Sequence, residues 1–316
     1  MIRVGIDAMG GDYAPKNIVL GAIQAYSRIQ SKTRLVLFGD NEQIATLCKD
    51  FGFDVAKFDI IHTSQVIEMN DHPAKAFQQK PDSSITVGFG ALAKMRIDGF
   101  ASAGSTGAML AGAMYTVKAI PGIIRPAIAS EYPLLTGGTA IILDVGLNVD
   151  CKPDVLYQYG LLGTIYAKHM SGIENPRVAL LNIGEEEEKG NLQTKEAHKL
   201  MQDTAEYNFV GNIESNHLFS GEIADVIVAD GFVGNVVLKQ AEAMYALAKR
   251  QGIDNEYFNR FNYELYGGTP VLGVNAPIII GHGASSPKAI ENMILQTEHA
   301  VQVRLVEKIT EALEIE

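Results

Sequence analysis

The sequence predicts a layered α/β fold built on a mostly parallel β-sheet, and three observations support this prediction. Several segments, such as 139–145, are runs of apolar residues of the kind found in strands buried on both faces. These runs alternate with helix-length segments, which is the order expected when helices connect parallel strands. Many of the runs end in small, polar, Gly-rich turns, as strand-to-helix junctions do.

The predicted elements follow one another along the whole chain. Ten strands are predicted at 3–8, 34–39, 58–62, 99–102, 127–131, 139–145, 177–183, 208–213, 225–229 and 277–281. Helices are predicted at 15–30, 104–118, 153–170, 191–204, 233–249 and 287–313. Because no repeat or linker interrupts this order, we expect residues 1–316 to form one bilobal α/β domain with a central cleft. The more polar 240–267 region is expected to project from it as a helical segment.

Composition excludes several classes of function. The chain is 47% hydrophobic and 20% charged, and it contains no apolar run near the roughly 20 residues that span a bilayer. Its net charge of -11 without a basic cluster argues against nucleic-acid binding. The N-terminus lacks the pattern of a signal peptide, and the two cysteines show no metal-binding or disulfide spacing. We therefore expect a cytoplasmic protein.

The turn at 104–108 is the best candidate for an anion site. Gly104 and Gly107 allow a ligand to approach the backbone closely, and the helix that begins there directs free N–H groups toward it. Ser105 and Thr106 add hydroxyl groups, although simple capping of the helix would explain them equally well. The turn has neither the Walker A nor the GxGxxG spacing, so it favours a small oxyanion over a nucleotide.

Two further side chains are candidates for contacts with an anion. Lys189 follows the acidic run 185–188, which is interpreted as a solvated surface, and it directly precedes a predicted helix. His282 lies between two glycines after a buried strand, where it could donate to an oxyanion or act as a general acid or base. A structural role in fixing the turn is the alternative for His282.

The remaining strand-end turns carry acidic side chains. Asp7, Asp12, Asp144 and Asp230 could bind a divalent metal, but hydrogen bonds to the backbone of their own turns are the favoured interpretation. No metal and no cofactor are therefore predicted. The chain also lacks a GxSxG motif and a cysteine with an evident base partner. This pattern is typical of a reaction in which the substrate supplies the nucleophile and the protein supplies positioning.

The motifs together resemble the PlsX family of phosphate acyltransferases. The resemblance begins with Asp-Ala-Met-Gly-Gly-Asp-Tyr-Ala-Pro at 7–15 and covers nearly the whole chain in the same order. It continues through 80–84, 104–108, 144–153, 180–190, 229–239 and 267–286.

The resemblance implies a fold similar to phosphotransacetylases and to isocitrate and isopropylmalate dehydrogenases. It also implies transfer of a fatty acyl group from acyl carrier protein (ACP) to inorganic phosphate, giving an acyl phosphate for phospholipid synthesis. The resemblance further implies a cytoplasmic protein, because members are cytoplasmic; they are usually homodimers and can associate peripherally with the membrane. As a hypothesis, phosphate rests on 104–107 near Lys189, while Asn148, Asn235 or His282 stabilises the oxyanion. The other predicted substrate-binding residues are Asp7, Gly10, Gly11, Asp12, Asp144, Gly184, Asp230, Gly231 and Ser285.

Three alternatives stay open at this point. A phosphotransacetylase-like enzyme would use acyl-CoA, and a comparison of acetyl-CoA with long-chain acyl-ACP would separate the two. A non-enzymatic protein that binds phosphate or a lipid intermediate would show no turnover. A nicotinamide-dependent dehydrogenase is disfavoured, because the dinucleotide fingerprint is missing.

Overall fold

The computed structural model describes residues 1–314 and divides the chain into two compact units. Unit 1 contains Met1–Ile120 and Tyr263–Val306, and unit 2 contains Pro121–Asn262 together with the residues from Glu307 on. Each unit has its own strands and helices.

Unit 1 begins with alternating strands and helices and ends with a strand pair and a long helix. Its elements are β1 (Ile2–Asp7), α1 (Lys16–Tyr26), β2 (Thr33–Gly39), α2 (Asn41–Asp50), β3 (Asp59–His62), α3 (Pro73–Gln79), α4 (Ser84–Ala93), β4 (Gly99–Ser102) and α5 (Thr106–Gly112). In unit 2 follow β5 (Ala127–Pro133), β6 (Thr139–Leu143), α6 (Pro153–Met170), β7 (Arg177–Asn182), α7 (Leu192–Gln202), β8 (Asn208–Glu214), β9 (Val226–Val228), α8 (Gly231–Arg250) and α9 (Glu256–Asn259). The chain then returns to unit 1 with β10 (Thr269–Leu272), β11 (Ile278–Ile280) and α10 (Pro287–Gln302), and α11 (Leu305–Leu313) follows.

The strands of unit 1 lie in the order β3-β2-β1-β4-β11-β10. The first five are parallel, and β10 joins β11 in the antiparallel sense. Strand β2 shows why helices cover both faces of this sheet. Leu35 and Leu37 pack into one apolar cluster and Val36 and Phe38 into another, because successive side chains of a strand point to opposite faces.

Helices α1 and α10 cover one face of the unit 1 sheet at close range. A Cβ atom on Gly21 of α1 would lie 2.5 Å from Cβ of Ile290 in α10, so only glycine permits this approach. Phe89 of α4 and Met109 of α5 lie in the cluster on the opposite face. The result is a three-layer α/β/α arrangement, as the apolar strand runs predicted.

The strands of unit 2 lie in the order β5-β6-β9-β7-β8. Strands β6, β9, β7 and β8 are parallel, and β5 pairs with β6 in the antiparallel sense. Residues 140–143 of β6 are all fully buried, so both faces of this strand are covered. Gly163 of α6 contributes to this packing, because a Cβ there would lie 2.4 Å from Val226.

One predicted helix differs in detail from the structure, whereas the projection of 240–267 stays a prediction. The predicted helix 287–313 is wrong as one continuous helix, because Arg304 has a φ of 56° and separates α10 from α11. Within the predicted projecting segment 240–267, the Tyr257 hydroxyl donates to the carbonyl of Pro133 at 3.1 Å. The Arg260 guanidinium donates to the carbonyl of Leu134 at 2.9 Å. Tyr257 and Arg260 therefore attach α9, and the residue that follows it, to the end of β5.

Candidate active site

In unit 1, a buried carboxylate joins two of the predicted ligand-binding turns. Asp7 at the end of β1 accepts a hydrogen bond from the backbone N–H of Met9 at 3.0 Å and another from the Ser102 hydroxyl at 2.6 Å. The Ser102 oxygen in turn accepts the N–H of Gly104 at 2.9 Å. Burial raises the pKa of Asp7, and the hydrogen bond from Ser102 opposes that shift. Asp7 therefore positions the 104–108 turn through Ser102.

Glycines let the same two turns approach each other. A Cβ on Gly10 would lie 2.1 Å from the Asp7 carboxylate and 2.8 Å from the backbone nitrogen of Gly104. Gly11 has a φ of 114°, a conformation that side chains other than glycine rarely adopt. Both glycines are thus required by the backbone geometry of the site.

The helix start at 104–108 has the geometry predicted for it. Ser105 is buried, and its hydroxyl accepts the N–H of Ala108 at 3.4 Å, so it caps α5. Thr106 is exposed, which leaves its hydroxyl accessible to a ligand. Gly107 lies against α3, since a Cβ there would be 2.4 Å from Pro73.

The loop that carries His282 packs against the first turn of unit 1. The N–H of Asp12 donates to the carbonyl of Gly283 at 2.8 Å, and the hydroxyl of buried Ser285 donates to the carbonyl of His282 at 2.5 Å. Nδ1 of His282 accepts the N–H of Ala284 at 3.2 Å. The neutral ring therefore carries its proton on Nε2, and the exposed imidazole can donate a hydrogen bond from that atom.

In unit 2, Asp144 organises the turn after β6. Its carboxylate accepts backbone N–H groups from Ile128 at 3.0 Å, Leu147 at 3.1 Å and Asn148 at 2.6 Å. Burial raises the pKa of Asp144, and these backbone hydrogen bonds oppose the shift. This geometry agrees with the interpretation that the strand-end aspartates hold their own turns.

Helix α8 begins directly against this turn. Asp230 caps it by accepting the N–H of Val233 at 2.8 Å. A Cβ on Gly231 would lie 2.7 Å from the Asp144 carboxylate, and one on Gly234 would lie 1.9 Å from the Asp144 carbonyl oxygen. The first turn of α8 and the turn after β6 therefore form a single packed cluster.

The two predicted asparagine donors hold this cluster together. The amide nitrogen of Asn148 donates to the carbonyl of Pro126 at 2.7 Å and to the Tyr159 hydroxyl at 2.8 Å. That of Asn235 donates to the carbonyl of Val145 at 2.9 Å. Their predicted role as oxyanion donors stays a prediction, and the contacts seen here are structural.

Lys189 lies on the turn between β7 and α7. Its side chain is 47% exposed, and its ammonium nitrogen lies 4.0 Å from the Glu186 carboxylate. Asn182 donates to the Lys189 carbonyl at 3.1 Å, and a Cβ on Gly184 would lie 2.8 Å from Cγ of Lys189. The absence of a side chain at Gly184 therefore makes room for the lysine stem.

One cluster of side chains has the composition of a metal site. Ligand atoms of Glu185, Glu214 and His217 all lie within 4.8 Å of one another. The His217 ring nitrogen is 3.9 Å from the Glu185 carboxylate. The prediction of a metal-independent site stays a prediction.

Among residues 1–314, neither cysteine is set up as a nucleophile. Cys48 is fully buried, and burial raises its pKa. Burial also raises the pKa of Cys151 to about 11, so its thiol stays protonated at neutral pH. The serines of the turns contact backbone groups or Asp7. These observations agree with a nucleophile that is supplied by the substrate.

Sequence reasoning did not single out Ser102 or Tyr159. Ser102 contacts Asp7 across 95 positions of sequence, and Tyr159 lies on α6, eleven positions after Asn148. Ser102 was identifiable only as the polar end of an apolar strand, and nothing in the sequence distinguishes Tyr159 from other core tyrosines.

Comparison with known proteins identifies the family. The family model described as "Fatty acid synthesis protein" matches residues 2–251. A phosphate acyltransferase of Dictyoglomus turgidum is 40% identical over 99% of this chain and 98% of its own. One from Syntrophomonas wolfei is 40% identical over 97% of each. The chain belongs to the phosphate acyltransferase family of fatty acid synthesis proteins, which confirms the predicted resemblance to the PlsX family.

A solved structure supports the predicted fold. A phosphotransacetylase from Streptococcus pyogenes superposes with a TM-score of 0.67, covering 95% of this chain and 94% of its own at 17% identity. At that identity the likeness concerns the fold alone. The predicted layered α/β fold of the phosphotransacetylase type is thus confirmed.

Proposed function

We propose that this enzyme transfers a fatty acyl group from ACP to inorganic phosphate and so makes an acyl phosphate for phospholipid synthesis. The observation that carries the proposal is the relationship, over 97–99% of the chain, to curated phosphate acyltransferases. The absence of an activated nucleophile among the described residues supports it, because phosphate itself can do the attacking.

The proposed reaction has one bond formed and one broken. An oxygen of hydrogen phosphate attacks the carbonyl carbon of the acyl thioester and gives a tetrahedral oxyanion. The C–S bond then breaks, the thiolate of the carrier takes up the proton that phosphate loses, and acyl phosphate and free ACP leave. The protein has to hold the phosphate and stabilise the oxyanion.

We assign roles to three of the described groups. The backbone of 104–107 with the exposed Thr106 hydroxyl binds phosphate, and the Asp7–Ser102–Gly104 contacts support that loop. His282 donates from Nε2 to the oxyanion, for which its Nδ1 contact with Ala284 selects the correct tautomer. Lys189, whose ammonium lies 4.0 Å from the Glu186 carboxylate and is half exposed, supplies positive charge to the phosphate.

The test is a turnover assay with palmitoyl-ACP and labelled phosphate, in which the label is followed into an acyl phosphate that hydroxylamine cleaves. The wild type should transfer the label into this product and release free ACP. His282→Ala should lower kcat by about 100-fold or more, as the loss of an oxyanion donor does. Lys189→Ala should raise the KM for phosphate, because it removes a charge that contacts the bound anion.

Lys189 and His282 each have a matched control residue within their own unit. Lys199 and His299 are exposed in the last turns of α7 and α10, and Ala at either position should leave turnover unchanged. Activity of His282→Ala and Lys189→Ala equal to that of their controls would remove both residues from the site. Parallel assays with acetyl-CoA and palmitoyl-CoA test the donor, and a preference for acetyl-CoA over palmitoyl-ACP would contradict the proposal.

We further propose that the enzyme is a cytoplasmic homodimer that contacts the membrane peripherally. Exposed apolar side chains on α8, including Phe232, Val236 and Leu247, support burial of this helix in an assembly. Among the described residues, no helix combines the length and apolar character needed to cross a membrane. Light scattering of the purified protein and co-sedimentation with anionic vesicles test the two parts of this proposal separately.

A further inference from the structure

One group of side chains in unit 2 takes no part in the proposed reaction. It consists of Glu185 from the turn after β7, Glu214 at the end of β8 and His217 three residues further on. One ligand atom of each residue lies within 4.8 Å of the other two. These three residues, called the Glu–Glu–His cluster below, offer two carboxylate oxygens and an imidazole nitrogen.

The backbone holds two of the three segments in place before any ligand binds. The side-chain amide of Asn212 on β8 donates to the carbonyl of Glu186 at 2.8 Å, which ties the turn that carries Glu185 to the neighbouring strand. The carbonyl of His217 accepts the N–H and the hydroxyl of Ser220 at 3.1 and 2.9 Å. Because these main-chain positions are already fixed, less entropy is lost when a ligand binds.

The negative charge of the cluster is not compensated by a lysine or arginine. Within residues 1–314, the carboxylates of Glu185 and Glu214 accept no hydrogen bond, and the one ion-pair contact is that of Glu185 with His217 at 3.9 Å. Glu214 precedes a short 3₁₀ turn but does not cap it. Lys189, on the same turn as Glu185, lies beside Glu186 instead. Two carboxylates that converge in this way repel each other, and a divalent ion would neutralise both.

We propose that the Glu–Glu–His cluster binds one divalent transition-metal ion, represented by Zn²⁺. Mg²⁺ and Ca²⁺ prefer oxygen ligands, whereas an imidazole nitrogen beside carboxylates suits Zn²⁺. The side chains of Glu185 and His217 are 62% and 42% exposed, so they can rotate until their ligand atoms reach the ~2.0–2.2 Å at which zinc binds nitrogen and oxygen. The site goes beyond the proposed acyl transfer, in which none of its three residues takes part.

A bound ion would cross-link the turn after β7 to the end of β8. Strand β8 is the last strand of the sheet and has a neighbour on one side only, β7. A ligand that binds the folded chain and not the unfolded chain raises the melting temperature by mass action. Zinc should therefore raise the Tm of the protein as well as bind to it.

The test is a zinc titration of the metal-free, full-length protein in competition with a chromophoric chelator, with calorimetry to measure Tm. The wild type should bind one Zn²⁺ per chain and retain it in excess Mg²⁺. Loss of an outer-shell partner of a metal ligand already costs about 10–100-fold in affinity, so loss of a ligand should cost at least about 100-fold. We expect that loss in His217→Ala and in Glu185→Gln, together with loss of the zinc-dependent rise in Tm.

Two matched controls separate the cluster from the general charge of the surface. Glu188→Gln removes the same charge from the same exposed run 185–188 at a residue outside the cluster, and it should bind zinc as the wild type does. His299→Ala removes an exposed histidine from unit 1 and should also have no effect.

Either of two results would overturn the proposed site. A wild-type protein that takes up no Zn²⁺ at one per chain, or that loses it to excess Mg²⁺, has no transition-metal site at this cluster. If Glu188→Gln weakens binding as much as Glu185→Gln, the ion is attracted by the acidic run and not held by the cluster. Because Glu185 is exposed, Glu185→Gln decides the question even if His217→Ala does not fold.

Discussion

The turns after β1 and β6 place the same residue type, a buried aspartate, at the carboxyl end of a strand, yet the two aspartates make different contacts. Asp144 accepts backbone N–H groups of its own turn and of Ile128. Asp7 accepts the backbone N–H of Met9 and also the hydroxyl of Ser102, which comes from another strand. The unit 2 turn is thus held mainly by its own backbone, whereas the unit 1 turn depends on a distant side chain.

The largest expected effect concerns the glycine contacts around Asp144. Gly234→Ala would place a Cβ 1.9 Å from the Asp144 carbonyl oxygen, and neither backbone can move away easily. We expect a loss of about 3 kcal/mol in the free energy of unfolding, at the upper end of overpacking costs. Urea denaturation monitored by circular dichroism measures it.

Gly90→Ala is the matched control, because Gly90 also lies within a helix, α4, and has no atom within 4 Å of an added Cβ. Alanine there should stabilise the protein by about 0.5–1 kcal/mol. Equal effects at the two positions would show that the turn after β6 is not rigidly packed against α8.

The second prediction compares the two aspartates directly. In Asp144→Asn the new NH₂ group would face backbone N–H donors whichever way the amide is turned, because both carboxylate oxygens accept them. An unpaired buried donor costs about 1–3 kcal/mol, so we expect a loss near 2 kcal/mol. Asp7→Asn should cost about 1 kcal/mol, since the Ser102 hydroxyl can rotate to accept. Urea titrations of both variants that give equal losses would contradict the difference between the turns.

The third and smallest effect is a pH dependence at Asp7. Burial raises the pKa of Asp7 in the folded protein above its ordinary value of 3.8. The protonated side chain therefore contributes to the free energy of unfolding below pH 3.8, and this contribution is lost as the pH rises through the raised pKa. Asn at this position does not titrate. The stability of the wild type relative to Asp7→Asn should therefore increase as pH falls from 8 toward 4, which urea titrations at several pH values would show. A decrease would mean that the hydrogen bonds from Ser102 and Met9 lower the pKa of Asp7 more than burial raises it.

Much of the fold could be predicted because its strands are apolar runs whose ends are marked by glycine. Strand β10 was missed, since it contains Pro270 and pairs in the antiparallel sense with β11 at residues 269 and 270. The break at Arg304 was missed because no glycine or proline marks it. For the candidate site, the sequence predicted where the polar strand-end turns lie but not the direction of their side chains. The amide of Asn148 donates to Pro126 and Tyr159, and such contacts depend on tertiary packing.

The chain of contacts from Met9 through Asp7 and Ser102 to Gly104 has a consequence for local motion. If either turn opened alone, the buried Asp7 carboxylate or the buried Ser102 hydroxyl would lose a hydrogen-bond partner. The turns after β1 and β4 should therefore open in a single cooperative event. The amide hydrogens of Met9 and Gly104 should then exchange with solvent deuterium with the same free energy of opening, although 95 residues separate them in the chain.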